Sequence, residues 1–322
     1  MQTFSELSSK FEEHFNKRQF PKSPDKLYDA ANYILSIGGK RIRPICVLMT
    51  NELFSELDDD GFHAANSIEL FHNFSLIHDD IMDKAPLRRG KLTVHKLYNE
   101  STALLAGDVM LVEAYTELNK IKGKYIQELL SLFNKTAKEV CEGQQLDLNF
   151  EEKVFVSLDE YLEMISLKTS VLMGCCMQMG AILGGAGLGS QEHLYKFGRY
   201  LGIAFQVQDD YLDAFGNPDK VGKQIGGDIL ANKKTFLFLH AIESANEEDK
   251  KELLNLYSNN IEEGKVEKVL NIYKRYNADE WAKNLKEKFL EKALFHLEET
   301  AVLSERKTEL YKFAKLLMDR DS

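Results

Sequence analysis

The chain has 322 residues, with 41 Lys and Arg against 51 Asp and Glu, and so a formal net charge of −10. That balance excludes a bulk electrostatic grip on nucleic acid or an anionic membrane, so any anion must be held by a local cation cluster or by metal ions. Only 5 prolines occur, none from Leu87 to Asn217 and none after Pro218, while hydrophobic and charged residues stand at the ordinary globular values of 44% and 29%.

At the N-terminus Phe4, Leu7, Phe11 and Phe15 recur at helical spacing among Glu6, Glu12 and Glu13. This predicts an amphipathic surface helix and neither a secretory signal nor a mitochondrial presequence. Helical periodicity then predicts helices over 26–37, 44–56, 62–83, 101–120, 125–146, 158–183, 190–215, 233–244, 247–257, 262–275, 278–299 and 302–317. The breaks between them are short: Gly38-Gly39, Pro86 to Lys91, Gly187-Leu188-Gly189 and Gly216-Asn217-Pro218. With no strict alternation, fixed repeat or long linker, the chain reads as one all-α domain over 1–322, its charge-rich last third forming outer helices or a lid. Val171 to Gly189 carries no charge, but its six glycines suit a core helix ending in a Gly-rich loop better than a membrane span of about 20 apolar residues. Cys46, Cys141, Cys175 and Cys176 show no CxxC spacing and read as small buried hydrophobes, in keeping with a cytoplasmic protein without stable membrane insertion.

Two acidic clusters share the form DDxxD, Asp79-Asp80-Ile81-Met82-Asp83 and Asp209-Asp210-Tyr211-Leu212-Asp213, each following an apolar run. On a helix, residues i and i+4 lie about 40° apart, so Asp79 and Asp83 share a face, as do Asp209 and Asp213, with Asp80 and Asp210 about 100° round on the flank. Clustered carboxylates at the end of an apolar helix repel one another and need a cation. Mg²⁺ fits, because it keeps several waters and bridges one or two carboxylates to substrate phosphates. A solvated acidic helix end is the plainer reading of one such cluster; two of identical form make it the minor one.

Cations surround these clusters. Gly38-Gly39-Lys40-Arg41-Ile42-Arg43-Pro44 sets three behind two glycines, and Arg88-Arg89-Gly90-Lys91 follows the first cluster, with His95 nearby. Arginine holds phosphate in a bidentate fork, and glycine lets the backbone approach a ligand. Lys168-Thr169, Lys223, Lys233 and Lys234 lie further on; singly, each is more often a solubilising charge. His72 lies within about 20° of the Asp79 face but roughly 10 Å down the helix, where it would meet a second substrate group sooner than the metals. His78-Asp79 also has the form of an HD metal pair, which would point instead to a phosphohydrolase.

These motifs, in their order, resemble the trans-isoprenyl diphosphate synthase (polyprenyl synthetase) family of farnesyl and geranylgeranyl diphosphate synthases. The matches are GGKRIRP at 38–44, LIHDDIMD at 76–83, LRRG at 87–90, LLAGD at 104–108, GQQLD at 143–147, LKTS at 167–170, FQVQDDYLD at 205–213, VGKQIGGD at 221–228 and NKKT at 232–235, over some three-fifths of the chain. The resemblance implies a helical bundle with a central apolar cavity, the two DDxxD helices facing across it, and a homodimer. It implies that Asp79, Asp83 and Asp209, aided by Asp213, hold three Mg²⁺ ions on an allylic diphosphate. Arg88, Lys168, Lys223 and Lys233 resemble the cations on that diphosphate. Lys40, Arg43, His72 and Arg89 resemble the isopentenyl diphosphate site, and Thr169 and Gln206 resemble polar groups along the forming cation. The implied reaction is head-to-tail condensation, with the released diphosphate as base.

For product length, Ser75 is too small to block a growing chain, and Phe74 lies about 140° from the Asp79 face. The family nevertheless uses an aromatic at the position of Phe74 as a stop, which implies geranylgeranyl diphosphate first and farnesyl diphosphate next. The tail 318–322 lacks the basic cluster of some eukaryotic members, so closure by the C-terminus is not implied. A terpene cyclase would normally show an Asn/Ser/Glu metal motif as its second cluster and has no need of the GGKRIRP site. A non-catalytic subunit of a heteromeric synthase would usually have lost the acidic clusters.

Overall fold

A computed structural model describes residues 1–153, 155–216, 225–258 and 263–319. They form α1 (Phe4–Phe15), α2 (Asp25–Ser36), α3 (Ile42–Glu52), α4 (Asp59–Met82), a two-stranded hairpin β1 (Leu87–Arg88) and β2 (Lys91–Leu92), α5 (Val94–Leu97), α6 (Glu100–Leu118), α7 (Ile126–Glu152), α8 (Leu158–Ile165), a π-turn over Ser166–Ser170, α9 (Val171–Leu183) and α10 (Leu188–Phe215). Six more helices follow: Gly227–Leu230, Phe236–Ser244, Glu247–Ser258, Lys265–Arg275, Ala278–Glu298 and Ser304–Met318. The fold is all-α. The expected helices are present, with α7 extending past 146 to Glu152. The break after Pro86 folds as the hairpin, too short for alternation to show.

The described residues divide into two compact units. One comprises Met1–Asn134, Cys175–Tyr195 and Thr300–Glu309. Here α4 packs along α6, with α3 on α4 and α2 on α6. α4 starts because the Asp58 side chain accepts from the Gly61 N–H at 3.2 Å, capping an otherwise orphan donor. Ala64, Ala65, Ala103, Ala106, Gly107 and Ala114 are buried on α4 and α6, so the two backbones approach closely. Phe71 is 1% exposed; burying such a ring contributes about 2–3 kcal/mol. Gly180 of α9 lies on α3, where a Cβ would fall 2.1 Å from the Val47 carbonyl oxygen. Cys46, Cys175 and Cys176 are buried as expected, whereas Cys141 is exposed on α7.

The other unit comprises the described residues of 135–174, 196–299 and 310–319. Phe236–Ser244 packs there against Ala278–Glu298, Lys265–Arg275 and α8. Its other landmark is the π-turn, which carries Lys168 and Thr169. Two glycines admit it: a Cβ on Gly143 would lie 2.2 Å from the Lys168 nitrogen, and one on Gly202 would lie 2.9 Å from the Ser170 Cα. Arg199 Nε donates to Ser166 Oγ at 2.8 Å and pins its start. Among the described residues one helix, Leu158–Leu183 taken through this turn, is long and apolar enough to cross a membrane, but 78% of its apolar window is buried within the protein.

Candidate active site

In the first unit the GGKRIRP loop builds a cationic cradle. Gly38 and Gly39 have φ of 85° and 149°, and Gly39 lies against the Arg89 guanidinium, which a Cβ would approach to 2.7 Å. Arg41, in the left-handed region at φ 47°, turns inward. Its Nε donates to Glu12 Oε1 at 3.0 Å, Nη1 to Glu69 Oε1 at 2.5 Å and Nη2 to the Leu35 carbonyl at 2.9 Å. This arginine is therefore structural, and it leaves exposed Lys40 and half-buried Arg43 as the loop's outward cations. Arg43 Nη1 lies 3.2 Å from His72 Nε2. A guanidinium only donates, so His72 accepts at Nε2 and carries its proton on Nδ1. Burial first, then the charges of Arg43, Arg89, Arg88 and Arg41, push the His72 pKa well below the usual histidine value. Burial is also the main cause lowering Arg89. The structure thus brings together His72, Arg43 and Arg89, with Lys40 exposed on the same loop.

The end of α4 separates its three acids. Asp80 is 1% exposed and accepts from Arg88 Nε and Nη2, both at 2.8 Å, in a bidentate pair. Asp79 is half-buried, Asp83 is exposed, and the Asp83 N–H bonds the Asp79 carbonyl at 2.8 Å, so these two stand on consecutive turns of one face. Arg88 leads into Arg89-Gly90, with φ of 52° and 75°, the turn that reverses the hairpin. Four of the five non-glycine residues with positive φ among the described residues, Arg41, Lys84, Arg89 and Asn232, sit within or beside these motifs, where such conformations commonly mark function. Phe74 is half-buried, 5.6 Å from the Phe71 ring and 4.7 Å edge-on from His78. His78 packs on Gly107 of α6, and Ser75 Oγ donates to the His72 carbonyl at 2.8 Å.

The second unit holds a cavity of about 470 Å³. Lys168, Thr169, Gln206 and Lys233 line it, as do Asp210 of the second acidic cluster and Asp147, Asp228 and Tyr161, to which the sequence alone assigns no role. Lys168 Nζ pairs with Asp147 Oδ2 at 2.5 Å, and Lys233 Nζ lies 4.0 Å from Asp228 Oδ1. Both lysines thus rest on acids from motifs already noted, GQQLD and VGKQIGGD. Lys234 differs: it donates to the Phe150 and Lys153 carbonyls and caps the end of α7. Asp210 is 4% exposed, accepting from Tyr161 Oη at 3.0 Å and Gln206 Nε2 at 2.9 Å. Burial, then repulsion from Asp228 and Asp209, raises its pKa well above the carboxylate range. Asp213 Oδ2 accepts the Asp228 N–H at 2.9 Å, at the start of helix Gly227–Leu230, and Asp209 is half-buried one turn earlier. Lys223 lies outside the described residues.

No group of three or more His, Cys, Asp or Glu side chains among the described residues is arranged to hold a metal. Asp79 and Asp83, two hard oxygen donors on one helix face, fit an ion that keeps waters and takes the rest of its ligands from substrate.

The polyprenyl synthetase family model matches residues 24–273. This chain belongs to that family. It is 40% identical over 252 residues to a short chain isoprenyl diphosphate synthase of Methanocaldococcus jannaschii, covering 78% of this chain and 77% of that one. It is 41% identical over 239 residues to a geranylgeranyl pyrophosphate synthase of Geoglobus acetivorans, covering 74% and 73%. A crystal structure of a geranylgeranyl pyrophosphate synthase matches with a TM-score of 0.95 at 43% identity, covering 100% of both chains. The chain is thus a prenyltransferase, an isoprenyl diphosphate synthase of the polyprenyl synthetase family.

Proposed function

We propose that the protein condenses isopentenyl diphosphate head-to-tail with an allylic diphosphate, in a Mg²⁺-dependent reaction whose main product is geranylgeranyl diphosphate. The observation that carries this reading is the second anion site on α4. His72, in a cradle with Arg43 and Arg89, stands seven residues, about 10 Å, before Asp79, the first of the acids. One helix therefore serves two diphosphates, which a cyclase acting on one does not need.

Asp79, Asp83 and Asp209, with a lesser part for Asp213, are the residues that would hold Mg²⁺, three ions in all. The bound ions supply charge to stabilise the departing diphosphate. Arg88, Lys168, Lys223 and Lys233 neutralise the same leaving group, and Thr169 and Gln206 lie along the allylic cation. Lys40, Arg43, His72 and Arg89 hold isopentenyl diphosphate so that its double bond meets that cation. A proton then passes to the released diphosphate. Neutral His72 accepts from Arg43 and fixes that guanidinium without adding charge.

Phe74 sets the product length in this reading: unlike buried Phe71 its ring is half-exposed, one turn and a half below Asp79, with Ser75 leaving room beside it. Assembly as a homodimer has support in α6, where Leu104, Leu105, Val112 and Tyr115 are exposed and offer an apolar face to a second copy. We place the enzyme in the cytoplasm. Mass spectrometry of products from labelled isopentenyl diphosphate with a series of allylic primers tests the whole reading. A C20 diphosphate requiring both substrates and Mg²⁺ is expected; a cyclised hydrocarbon from one allylic substrate alone would overturn it. Phe74→Ala should lengthen the product, and an unchanged product would move the stop elsewhere.

A further inference from the structure

We infer that Asp210 is a positioning residue: together with Tyr161 it orients the Gln206 amide so that the carbonyl oxygen, rather than the NH₂, faces the reacting end of the allylic chain. The inference rests on the proposed condensation, in which Gln206 lies beside the allylic cation.

Gln206 and Asp210 stand one turn apart on the same face of α10, and Gln206 Nε2 donates to Asp210 Oδ1 at 2.9 Å. The other carboxyl oxygen accepts from Tyr161 Oη at 3.0 Å. Tyr161 is itself fixed, 7% exposed and packed edge-on against Phe236 at 4.6 Å and 81°. In the carboxylate form, which the Tyr161 and Gln206 donors favour, the second oxygen only accepts. The amide corner that meets Asp210 is therefore the NH₂. The amide oxygen occupies the opposite corner, turned away from Asp210. Gln206, Tyr161, Asp210, Lys168 and Thr169 line one cavity, and on this inference that oxygen lies on its wall. Beside a delocalised cation the negative end of the amide dipole is stabilising and the NH₂ is repulsive. A flipped amide would also slow capture of the cation by isopentenyl diphosphate relative to capture by water. Asp210, buried with both oxygens engaged, acts in this scheme through Gln206 and not as a ligand to metal or diphosphate.

The test compares Asp210→Ala, Asp210→Asn, Tyr161→Phe, Gln206→Leu and the Asp210→Ala/Gln206→Leu double variant, each with Mg²⁺ and both substrates. The readouts are kcat, KM, the Mg²⁺ requirement and the share of allylic diphosphate converted to allylic alcohol by water. Asp210→Ala should lower kcat about tenfold, the scale of one well-placed hydrogen-bonding dipole, with KM within about twofold and a larger share of alcohol. Asp210→Asn keeps an acceptor oxygen for Gln206 and should stay within about threefold of the parent, while the double variant should match Gln206→Leu alone. Tyr161→Phe, which keeps the ring on Phe236, should lower kcat less than Asp210→Ala and raise the alcohol share. It carries the test if Asp210→Ala fails to fold. An Asp210→Asn enzyme as impaired as Asp210→Ala, or a shifted Mg²⁺ requirement, would make Asp210 a ligand and overturn the inference. So would losses that multiply in the double variant, or a Gln206→Leu enzyme with unchanged kcat and alcohol share. Those outcomes leave the condensation standing; absence of any condensed product from the parent enzyme is what would remove it.

Discussion

At the end of α4 the middle acid of the DDxxD segment, Asp80, is buried against a cation, whereas in α10 the matching acid, Asp210, is buried against the neutral donors Tyr161 and Gln206. The last acids differ as well. Asp83 is exposed at the C-terminus of its helix, while Asp213 accepts a backbone N–H from the helix that follows. One sequence pattern thus has two electrostatic settings. At Asp80 the charge is neutralised by a bidentate partner. At Asp210 burial and the neighbouring acids raise the pKa, and two neutral donors favour the carboxylate against them. Spacing on a helix fixes which carboxylates share a face; what each carboxylate meets decides whether it is a ligand or a brace.

The largest effects expected from this difference are catalytic. Asp79→Ala, Asp83→Ala and Asp209→Ala should each lower kcat by about 10³-fold, the scale of lost charge stabilisation at a leaving group, with little change in melting temperature. Asp213→Ala should cost only about tenfold, because its carboxylate already serves the backbone. Equal losses for Asp83 and Asp213 in steady-state kinetics would erase the contrast between them.

Stability comes next. Arg88→Ala leaves Asp80 buried without its partner and should cost about 3 kcal/mol, a penalty that Asp80→Ala/Arg88→Ala should partly relieve. Tyr161→Phe removes one neutral hydrogen bond and should cost about 1 kcal/mol. Urea denaturation of the metal-free protein reads both, and similar values would show that the two braces do not differ in kind.

How much of this the sequence disclosed follows from the separation of partners. Helices declare themselves by local periodicity, and the DDxxD and GGKRIRP patterns are contiguous. The bonds that sort their members are not: Asp80 meets Arg88 across a loop, Lys168 meets Asp147 from 21 residues away, and Tyr161 meets Asp210 from 49. Arg41 reads as a third phosphate cation until Glu12 and Glu69 are seen to hold it. The π-turn hides inside the single helix that periodicity predicts over 158–183, because its cause, the close approach of Gly143 and Gly202, lies on two other helical segments.

The smallest effect concerns pH. The pKa of His72 is depressed in the folded protein, so below the ordinary histidine value of 6.5 the unfolded chain binds a proton that the folded chain does not. Stability should therefore fall as pH drops through that range, and His72→Asn should flatten the fall. A parent and variant with the same slope in pH-dependent denaturation would mean that His72 is protonated in its cradle.

The central claim is that α4 serves two diphosphates by different means, metal at Asp79 and Asp83 and side-chain cations at the cradle. Titration calorimetry with isopentenyl diphosphate and with an unreactive allylic thiolodiphosphate, each with Mg²⁺ and in excess chelator, addresses it directly. The predicted result is that isopentenyl diphosphate binds under both conditions and is lost in Arg43→Ala, while the allylic analogue binds only with Mg²⁺. A shared Mg²⁺ requirement for both ligands, or for neither, would contradict it.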